Sequence, residues 1–328
     1  MGQDADQTSV NNMQSFLNEL SLPKHHSQTE AIKSFKQFGE CFKRLSLVGI
    51  KEVKIHSSFY AHEFAPGYSF FNVIGDDRLD ADLRTLLKSV VGIVPYVDEL
   101  LKQYEAENRT ALEMKIEDDV CLGLGLASEA IFNTVSLSYL PNNWDSPIYV
   151  ITVNNISEGD GGNLTVEHDD SNARNVATVE HAEQHSHFIS EQIASTIESG
   201  RELWLRRSEL FPNLDFCEQV KGQLAGYHYN TLGFQQIILR LLDLQQVALR
   251  FGGKPIKPED FPTRVSPESD TRLRLFENEL TVLCPDGHYR LFSWHSRFTP
   301  GAGRIHFIPF EDRKIILVGS VANQNTIK

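Results

Sequence analysis

Residues Glu279 to Val321 carry the sequence ELTVLCPDGHYRLFSWHSRFTPGAGRIHFIPFEDRKIILVGSV, and the architecture of the C-terminal part of the chain depends on this stretch. It contains four apolar runs rich in strand-forming residues, separated by turn-forming residues at Asp286-Gly287, 300–303 and 311–314. An Asp-Gly pair between two such runs is a strong hairpin signal, because glycine tolerates the positive φ angles of a tight turn. The stretch therefore predicts a four-stranded antiparallel meander.

Two of the predicted strands carry arginine and histidine. Side chains at positions i and i+2 of a strand share a face, so Arg304 and His306 point to one side and Ile305 points to the other. By the same rule, His295 and Arg297 share a face of the neighbouring strand. Arginine offers a planar fork for phosphate oxygens, and histidine exchanges a proton near neutral pH. The pattern predicts a phosphate-binding face on which His295, Arg304 and His306 are the catalytic candidates.

The turn between these two strands extends the candidate site. Its glycines bring backbone N–H groups close to a bound anion, so phosphate binding is predicted for Arg297, Arg304, Gly301 and Gly303. In the alternative interpretation, the basic residues decorate a solvent-exposed strand and are neutralised by the neighbouring pair Glu311-Asp312. The residue pattern leaves both interpretations open.

A resemblance to known proteins rests on the same residues. The order of strand, H-x-R, turn, R-I-H-F, turn and an apolar strand ending in V-G resembles the C-terminal segment of uncharacterised bacterial proteins. More loosely, these roughly fifty residues are similar to the RelE/ParE-like toxin fold, an antiparallel sheet with scattered basic and histidine residues.

The resemblance implies roles for individual residues. In the RelE-type ribonucleases, Arg or Lys stabilises the transition state and His, Tyr or Glu transfers protons, which implies Arg304 as the phosphate ligand and His306 or His295 as the general acid/base. The pattern continues with another glycine and a terminal histidine, whereas this chain has Ser320-Val-Ala-Asn-Gln. The resemblance therefore also implies a second role, binding of a protein partner without catalysis, as in ParE-like relatives.

Composition and charge limit the classes of function. The chain has 328 residues, of which 41% are hydrophobic and 23% charged, as in globular proteins. Its net charge of −13 disfavours indiscriminate binding of nucleic acid. However, residues 271–328 hold eight Lys/Arg against five Asp/Glu, whereas residues 1–270 hold 23 against 39. The basic residues are therefore concentrated in the C-terminal part.

The cellular compartment is predicted from two features. The four cysteines are far apart and form no C-x-x-C pair, which favours reduced thiols. No apolar run approaches the roughly eighteen residues of a membrane span, and the N-terminus lacks the basic and apolar regions of a signal peptide. These features predict a cytoplasmic protein without a membrane partner.

The chain upstream of the meander has a mainly helical pattern. Apolar residues recur at helical spacing in Thr29–Leu47, Val176–Leu210 and Thr231–Phe251. Pro147–Val153 predicts a short strand, and Asn154–Asn172, rich in Gly, Asp, Asn and Ser, predicts an exposed loop.

A proline-rich segment, Gly252–Asp270, is typical of a linker and places a domain boundary within it. The predicted fold is α+β, with an α-rich body of residues 1–262 that contains a few strands, followed by a small antiparallel β module of residues 263–328.

Two other patterns have an ordinary structural explanation. His181 and His185 are four residues apart and share a helix face, as metal ligands do, but the spacing is not H-E-x-x-H and a solvated helix face is favoured. The pair Gly123-x-Gly125 lacks the third glycine of a dinucleotide-binding loop, so a buried helix or strand edge with close packing is expected instead. No metal site and no cofactor are predicted.

These observations predict an intracellular bacterial protein, toxin-like or of an antiphage-defence type, whose C-terminal module engages nucleic acid. RNA is favoured over DNA, and the candidate activity is that of an endoribonuclease. The alternative is a non-enzymatic protein-interaction subunit of a bacterial complex, with a partner encoded in the same operon. A homo-oligomer is compatible with either prediction.

Overall fold

The structure is a computed structural model that describes residues 13–90, 94–140, 143–158, 163–231, 233–251, 255–299 and 303–323. The chain folds into two compact units, residues 1–189 and 190–328. The predicted domain boundary at residue 263 lies inside the second unit. Within the described ranges, no helix combines the length and the apolar composition needed to cross a membrane.

The first unit combines short strands with helices of six to twenty residues. Its described strands are β1 Gln14–Leu17, β2 Glu52–Lys54, β3 Glu63–Ala65, β4 Tyr68–Ser69, β5 Ala111–Ile116, β6 Asp119–Val120, β7 Val135–Leu137, β8 Ile148–Glu158 and β9 Leu164–Val176. Its described helices are α1 Gln28–Leu47, α2 Phe70–Gly75, α3 Ala81–Val90, α4 Val97–Asn108, α5 Leu122–Ala127 and α6 Val179–Ser195, the last of which contains the boundary between the units.

Seven of these strands form one mixed sheet with the order β2-β1-β7-β9-β8-β5-β6. The strands from β2 to β9 pair in parallel, and those from β9 to β6 pair antiparallel. The predicted α-rich body with a few strands is therefore wrong. Strands β1, β2 and β7 have only three or four residues, too few for a periodic pattern to be recognised, yet they form the parallel end of the sheet beside β9.

The long hairpin β8–β9 includes residues 154–158 and 164–172 of the segment Asn154–Asn172 that was predicted as a loop, and residues 159–162 lie outside the described residues. Most side chains of β9 before Ser171 are polar and exposed, so the alternation that marks a half-buried strand is absent. Their partners lie across the hairpin, where His168 Nδ1 is 2.7 Å from Asn154 Oδ1. The predicted strand Pro147–Val153 is confirmed as the first half of β8.

The glycine pair lies in the buried helix α5, as expected. A Cβ atom on Gly123 would lie 1.9 Å from the carbonyl oxygen of Leu17, so only glycine permits this close approach. The carboxylate of Glu19 accepts hydrogen bonds from the N–H groups of Leu122 and Gly123. An internal anion thus already occupies the start of this helix.

Helix α1 is confirmed and begins with a capping box, in which Ser27 and Glu30 bond reciprocally to backbone N–H groups. Its apolar side packs into an aromatic cluster, where the rings of Phe38 and Tyr139 stack with centroids 4.4 Å apart. Phe35 is also fully buried there. The helix presents its lysines on the other side.

The second unit is built around a smaller sheet. Its described strands are β10 Leu214–Phe216, β11 Val265–Pro267, β12 Thr281–Leu283, β13 Tyr289–Leu291, β14 Trp294–Phe298, β15 Gly303–Phe310 and β16 Ile315–Asn323. Its remaining described helices are α7 Gly200–Leu210, α8 Glu218–Leu224, α9 Phe234–Leu249, α10 Asp270–Leu275 and α11 Glu277–Leu280.

Five of these strands form a sheet with the order β10-β16-β15-β14-β11, in which β10 and β16 are parallel and the other pairs antiparallel. The predicted meander is wrong in two respects. First, β12 and β13 form a separate two-stranded sheet, because the chain leaves the predicted strand at Phe292. This side chain is buried in a small core with Cys217 and Cys284. Second, the outer strands come from upstream, β11 from the predicted linker and β10 from the predicted helical body.

One face of the five-stranded sheet forms the main core of the second unit. Ile305 and Phe307 of β15 are fully buried there with Phe298 of β14. Helix α9 contributes the largest apolar surface facing them, including Phe234 and Ile237. The opposite face of β14 and β15 carries the residues that the sequence singled out.

Candidate functional site

The predicted basic residues lie in two adjacent rows across strands β14 and β15. His295 pairs with His306, and Arg297 pairs with Arg304, in the antiparallel register of the two strands. Serines extend the histidine row on both sides, because Ser266 of β11 pairs with His295 and Ser320 of β16 pairs with His306. The strands thus bring together four residues whose convergence the sequence pattern had predicted.

Three of these residues, His295, Arg304 and His306, converge on Glu268, which follows β11 directly. One oxygen of this carboxylate, Oε1, lies 3.0 Å from Arg304 Nη1 and 3.3 Å from His306 Nε2. The same oxygen is 3.0 Å from His295 Nδ1, although the angle there is not that of a hydrogen bond. The second oxygen, Oε2, accepts a hydrogen bond of 2.9 Å from Arg272 Nε on α10. We call Glu268, Arg272, His295, Arg304 and His306 the Glu268 cluster.

Two serine hydroxyls bind the outer nitrogens of the histidines. Ser320 Oγ is 3.0 Å from His306 Nδ1, and Ser266 Oγ is 3.4 Å from His295 Nε2. Each imidazole therefore lies between a hydroxyl and the carboxylate of Glu268. This is an arrangement in which a proton can pass between a hydroxyl and a histidine whose orientation is held by an acid.

The cluster is closed to solvent in this conformation. The exposed fraction of the side chain is 1% for Glu268 and His306, 4% for His295 and 8% for Arg304. Arg272, at 27%, is more accessible and covers the carboxylate from the side of α10. Groups buried to this extent must be paired, and Glu268 provides the negative charge that pairs the two arginines.

Burial alone would raise the pKa of Glu268, but the hydrogen bond from His306 and the charges of His295, Arg304 and Arg272 lower it to about 2. Burial lowers the pKa of His295 to about 4; Glu268 opposes this shift, and Arg304, His306 and Arg297 add to it. His295 is consequently uncharged near neutral pH. The Glu268 carboxylate is then balanced by Arg304 and Arg272 rather than by His295.

Arg297 is the exposed member of the basic rows. Among the described residues, no carboxylate forms an ion pair with it, whereas its cross-strand neighbour Arg304 is paired with Glu268. Its charge nonetheless acts on the cluster, since it contributes to the lowered pKa of His295. Arg297 therefore remains available to an external anion.

The two glycines predicted to bind phosphate are not part of the Glu268 cluster. Gly301 lies outside the described residues. Gly303 begins β15, and a Cβ atom there would meet the ring of Phe298 at 2.1 Å. Close packing against this ring accounts for the glycine.

The acids considered as neutralising partners lie elsewhere. Glu311 accepts a hydrogen bond from the N–H of Ile256, and Asp312 lies 4.0 Å from Arg313. The partner of the cluster is instead Glu268, which the sequence analysis did not single out. Its signal was weak, because Pro267-Glu268-Ser269 lies within a proline-rich segment that resembles a linker.

The alternative metal ligands His181 and His185 lie on α6, and both are engaged by nearby backbone. His185 is buried and its Nε2 is 2.9 Å from the carbonyl oxygen of Pro147, while His181 Nδ1 is 3.4 Å from the N–H of Ala177. Burial lowers the pKa of both side chains. In the part of the chain that the structure describes, no three His, Cys, Asp or Glu residues are grouped as metal ligands.

Comparisons of the chain with protein-family models, with curated proteins and with solved structures give no match.

Proposed function

We propose that the second unit binds the phosphodiester backbone of RNA at the face of β14 and β15 and cleaves it without a metal ion or cofactor. The supporting observation is the convergence of Arg304 and His306, with His295 beside them, on a single anionic oxygen of Glu268. A phosphoryl oxygen is an acceptor of the same kind, and arginine on a sheet binds it strongly. The relationship to RelE/ParE-like toxins remains a prediction.

In this proposal, each residue has a distinct role. Arg297, which is exposed and unpaired among the described residues, makes the first contact with the phosphate. His295, uncharged near neutral pH, accepts the proton of the 2′-hydroxyl, whose oxygen then bonds to phosphorus. His306 donates a proton to the departing 5′-oxygen, and Arg304 stabilises the negative charge of the transition state. The products are a 2′,3′-cyclic phosphate and a 5′-hydroxyl.

Engagement of RNA requires the cluster to open. Arg272 of α10 covers Glu268 through the bond to Oε2, and the histidines behind it are almost completely buried. The bound phosphate would draw Arg304 away from Glu268. The Glu268 carboxylate would then move aside together with Arg272 and α10. A requirement for the 2′-hydroxyl makes RNA, not DNA, the substrate.

The experiment uses the full-length protein and a fluorescent single-stranded RNA of mixed sequence, at low salt and with EDTA. We expect binding that weakens steeply as salt rises, and cleavage products that end in a cyclic phosphate. His306→Ala should lower the cleavage rate by about 10²–10⁴-fold, as removal of a general acid does. Arg297→Ala should weaken binding about tenfold, whereas Arg313→Ala, which removes an exposed arginine from the β15–β16 turn, should leave it unchanged.

If the purified protein neither binds nor cleaves RNA at low salt, this function is wrong. Binding that responds equally to Arg297→Ala and Arg313→Ala would point to unspecific attraction by the basic C-terminal part.

A second candidate function, that of a non-enzymatic interaction subunit, is supported by the burial of the cluster. Glu268 joins β11 and α10 to strands β14 and β15. In this second function, the network of ion pairs has a structural role alone and fixes this architecture. The double variant Arg304→Ala/His306→Ala distinguishes the candidates. A folded double variant without activity supports the enzyme, and one with unchanged folding and biological activity supports the interaction subunit.

The same proposal places the protein in the cytoplasm of a bacterium. All four cysteines are buried and free, as is usual in a reducing compartment. The partner is RNA in the first candidate function and a protein encoded nearby in the second, and we propose a toxin-like or defence role for either.

A further inference from the structure

A cavity of about 410 Å³ in the first unit lies beside the first turns of α1. Pockets that bind small molecules usually measure about 300–1,000 Å³, so this one is large enough for a metabolite. The residues that determine its chemistry are Lys24, His25, His26, Glu30, Lys33 and Leu140. We call this cavity the α1 pocket.

Basic side chains dominate the lining of the α1 pocket. Lys24 and Lys33 are exposed, and neither forms an ion pair among the described residues. Glu30, the single acid among the described lining residues, is already used, since its Oε2 accepts hydrogen bonds from the N–H groups of His26 and Ser27. The pocket thus has an excess of positive charge on a chain whose net charge is −13.

His25 contributes a polar atom that lacks a partner. Its Nε2 is buried and forms no hydrogen bond with the part of the chain that the structure describes, which is rare because a buried unpaired polar atom costs about 1–3 kcal/mol. The backbone around it is well anchored, with the N–H of His25 bonded to the carbonyl oxygen of Phe64 and His62 Nε2 bonded to that of Pro23. The backbone that carries the ring is therefore fixed, and one ring nitrogen is unpaired among the described residues.

The protonation state of the His25 ring allows it to donate a hydrogen bond. Burial lowers its pKa, Glu30 opposes this shift and His26 adds to it. The ring is neutral at physiological pH and carries one N–H, which Nε2 can present to an acceptor. Two lysines without ion pairs among the described residues, and a histidine with one unpaired ring nitrogen, are therefore lining residues of the same cavity.

We propose that the α1 pocket binds a small organic phosphate, whose phosphate group contacts Lys24, Lys33 and His25 and whose organic part packs against Pro23 and Leu140. A phosphate monoester carries about −1.5 to −2 charges at neutral pH, which matches the two lysines better than a carboxylate does. This inference does not depend on the function proposed for the second unit.

Calorimetry on the full-length protein tests the proposal, with inorganic phosphate, glycerol 3-phosphate and ribose 5-phosphate as probes and acetate as the singly charged comparison. We expect one site per chain for a phosphate ester, a higher melting temperature in its presence, and no binding of acetate. Lys24→Gln and Lys33→Gln should each weaken binding about tenfold or more, because each removes a charge-assisted hydrogen bond.

Matched variants distinguish binding in the α1 pocket from attraction of phosphate by the general charge of the protein. Lys36→Gln removes the same charge from an exposed position of the same helix that does not line the cavity, and it should leave binding unchanged. His25→Asn should also weaken binding, whereas Arg313→Ala, which removes an exposed arginine of the second unit, should not affect it.

Three results would overturn the inference: no binding of any phosphate at millimolar concentration, acetate binding as tight as that of the esters, or an equal loss in Lys36→Gln and Lys33→Gln. Because the lysines are exposed, these variants should fold normally, and circular dichroism verifies this. RNA binding is not needed for any of these measurements, so the two proposals can fail separately.

Discussion

The Glu268 cluster and the α1 pocket both gather basic side chains, but they balance the charge in opposite ways. In the cluster, Arg304 is almost fully buried and pairs with an internal carboxylate at 3.0 Å. In the α1 pocket, Lys24 and Lys33 stay exposed, and the only acid among the described lining residues is bonded to backbone N–H groups. The first region carries its counter-anion within the chain, and the second lacks one.

The difference follows from the cost of removing charge from water. A buried ion needs a fixed partner, because desolvation without one costs several kcal/mol. An exposed lysine remains hydrated and needs no partner for the fold. In the two proposals, the cluster therefore contributes to stability and to function together, whereas the lysines of the α1 pocket contribute to function alone. Four predictions test this contrast, from the largest expected effect to the smallest.

Removal of the internal counter-anion should have the largest effect. In Glu268→Ala, Arg304 stays buried without its partner, so we expect the free energy of unfolding to fall by about 3–5 kcal/mol. Urea denaturation at pH 7 measures this loss. As a control, Glu277→Ala removes an exposed acid of α11 and should change stability by less than about 0.5 kcal/mol. A loss below about 1 kcal/mol in Glu268→Ala would contradict the role given to this carboxylate.

Acidification should lower the stability of the folded protein in two steps, one for each of two groups of the cluster. His295 has a pKa of about 4 in the folded protein against a usual 6.5, so the unfolded state binds more protons between these values. Stability therefore falls as pH drops from about 6.5 to about 4, by up to about 3 kcal/mol from this residue. The lowered pKa of Glu268 extends the loss from its usual 4.5 down to about 2.

Urea denaturation at pH 7, 5.5 and 4.5 measures the first step. His295→Gln should flatten the pH dependence of stability between pH 6.5 and 4.5. His228→Gln, which removes an exposed histidine, should leave this dependence unchanged. An unchanged slope in His295→Gln would show that other groups cause the acid sensitivity.

The serine partners of the histidines should have smaller effects that follow their distances. Ser320→Ala removes the 3.0 Å contact with His306 and should cost about 1 kcal/mol. Ser266→Ala removes the longer 3.4 Å contact with His295 and should cost less. Thermal unfolding of both variants tests the order, and the reverse order would show that Ser266 is the stronger partner.

The lysines of the α1 pocket should have the smallest effect on stability. Without a ligand, Lys24→Gln and Lys33→Gln should each change the free energy of unfolding by less than about 0.5 kcal/mol, because neither lysine has an ion pair to lose. Urea denaturation in buffer without phosphate measures this. A loss above about 1 kcal/mol would mean that the lysines are part of the fold, which would remove the contrast with Arg304.

The fold was predictable only where the pattern was long. Helix α1 was predicted almost to its ends from its apolar spacing, and the structure adds the Ser27–Glu30 capping box at its start. The seven-stranded sheet was missed, because β1, β2 and β7 are too short to show a period and β9 is polar on both faces. The run from His288 to Phe298 was predicted as one strand and is two, since Phe292 turns into a separate core.

The candidate site was predictable in part for the same reason. Alternation along a strand places Arg304 and His306 on one face, and the hairpin register brings His295 opposite His306. The burial of the set could not be inferred, because it depends on Glu268 and Arg272, which lie outside the strands that carry the other members.

The sequence by itself determined the local features: the capped helix α1, the strands β14 to β16 and the placement of two arginines and two histidines on them. These depend on periodicity and turn chemistry, which act over a few residues. The tertiary structure alone decided which charges became buried and paired. Glu268 bonds to Arg304 across 36 residues of chain, whereas no ion pair of Lys24 or Lys33 occurs in the described ranges. Whether a charge has a partner is settled by the folding of distant segments, because electrostatic pairing depends on distance in space.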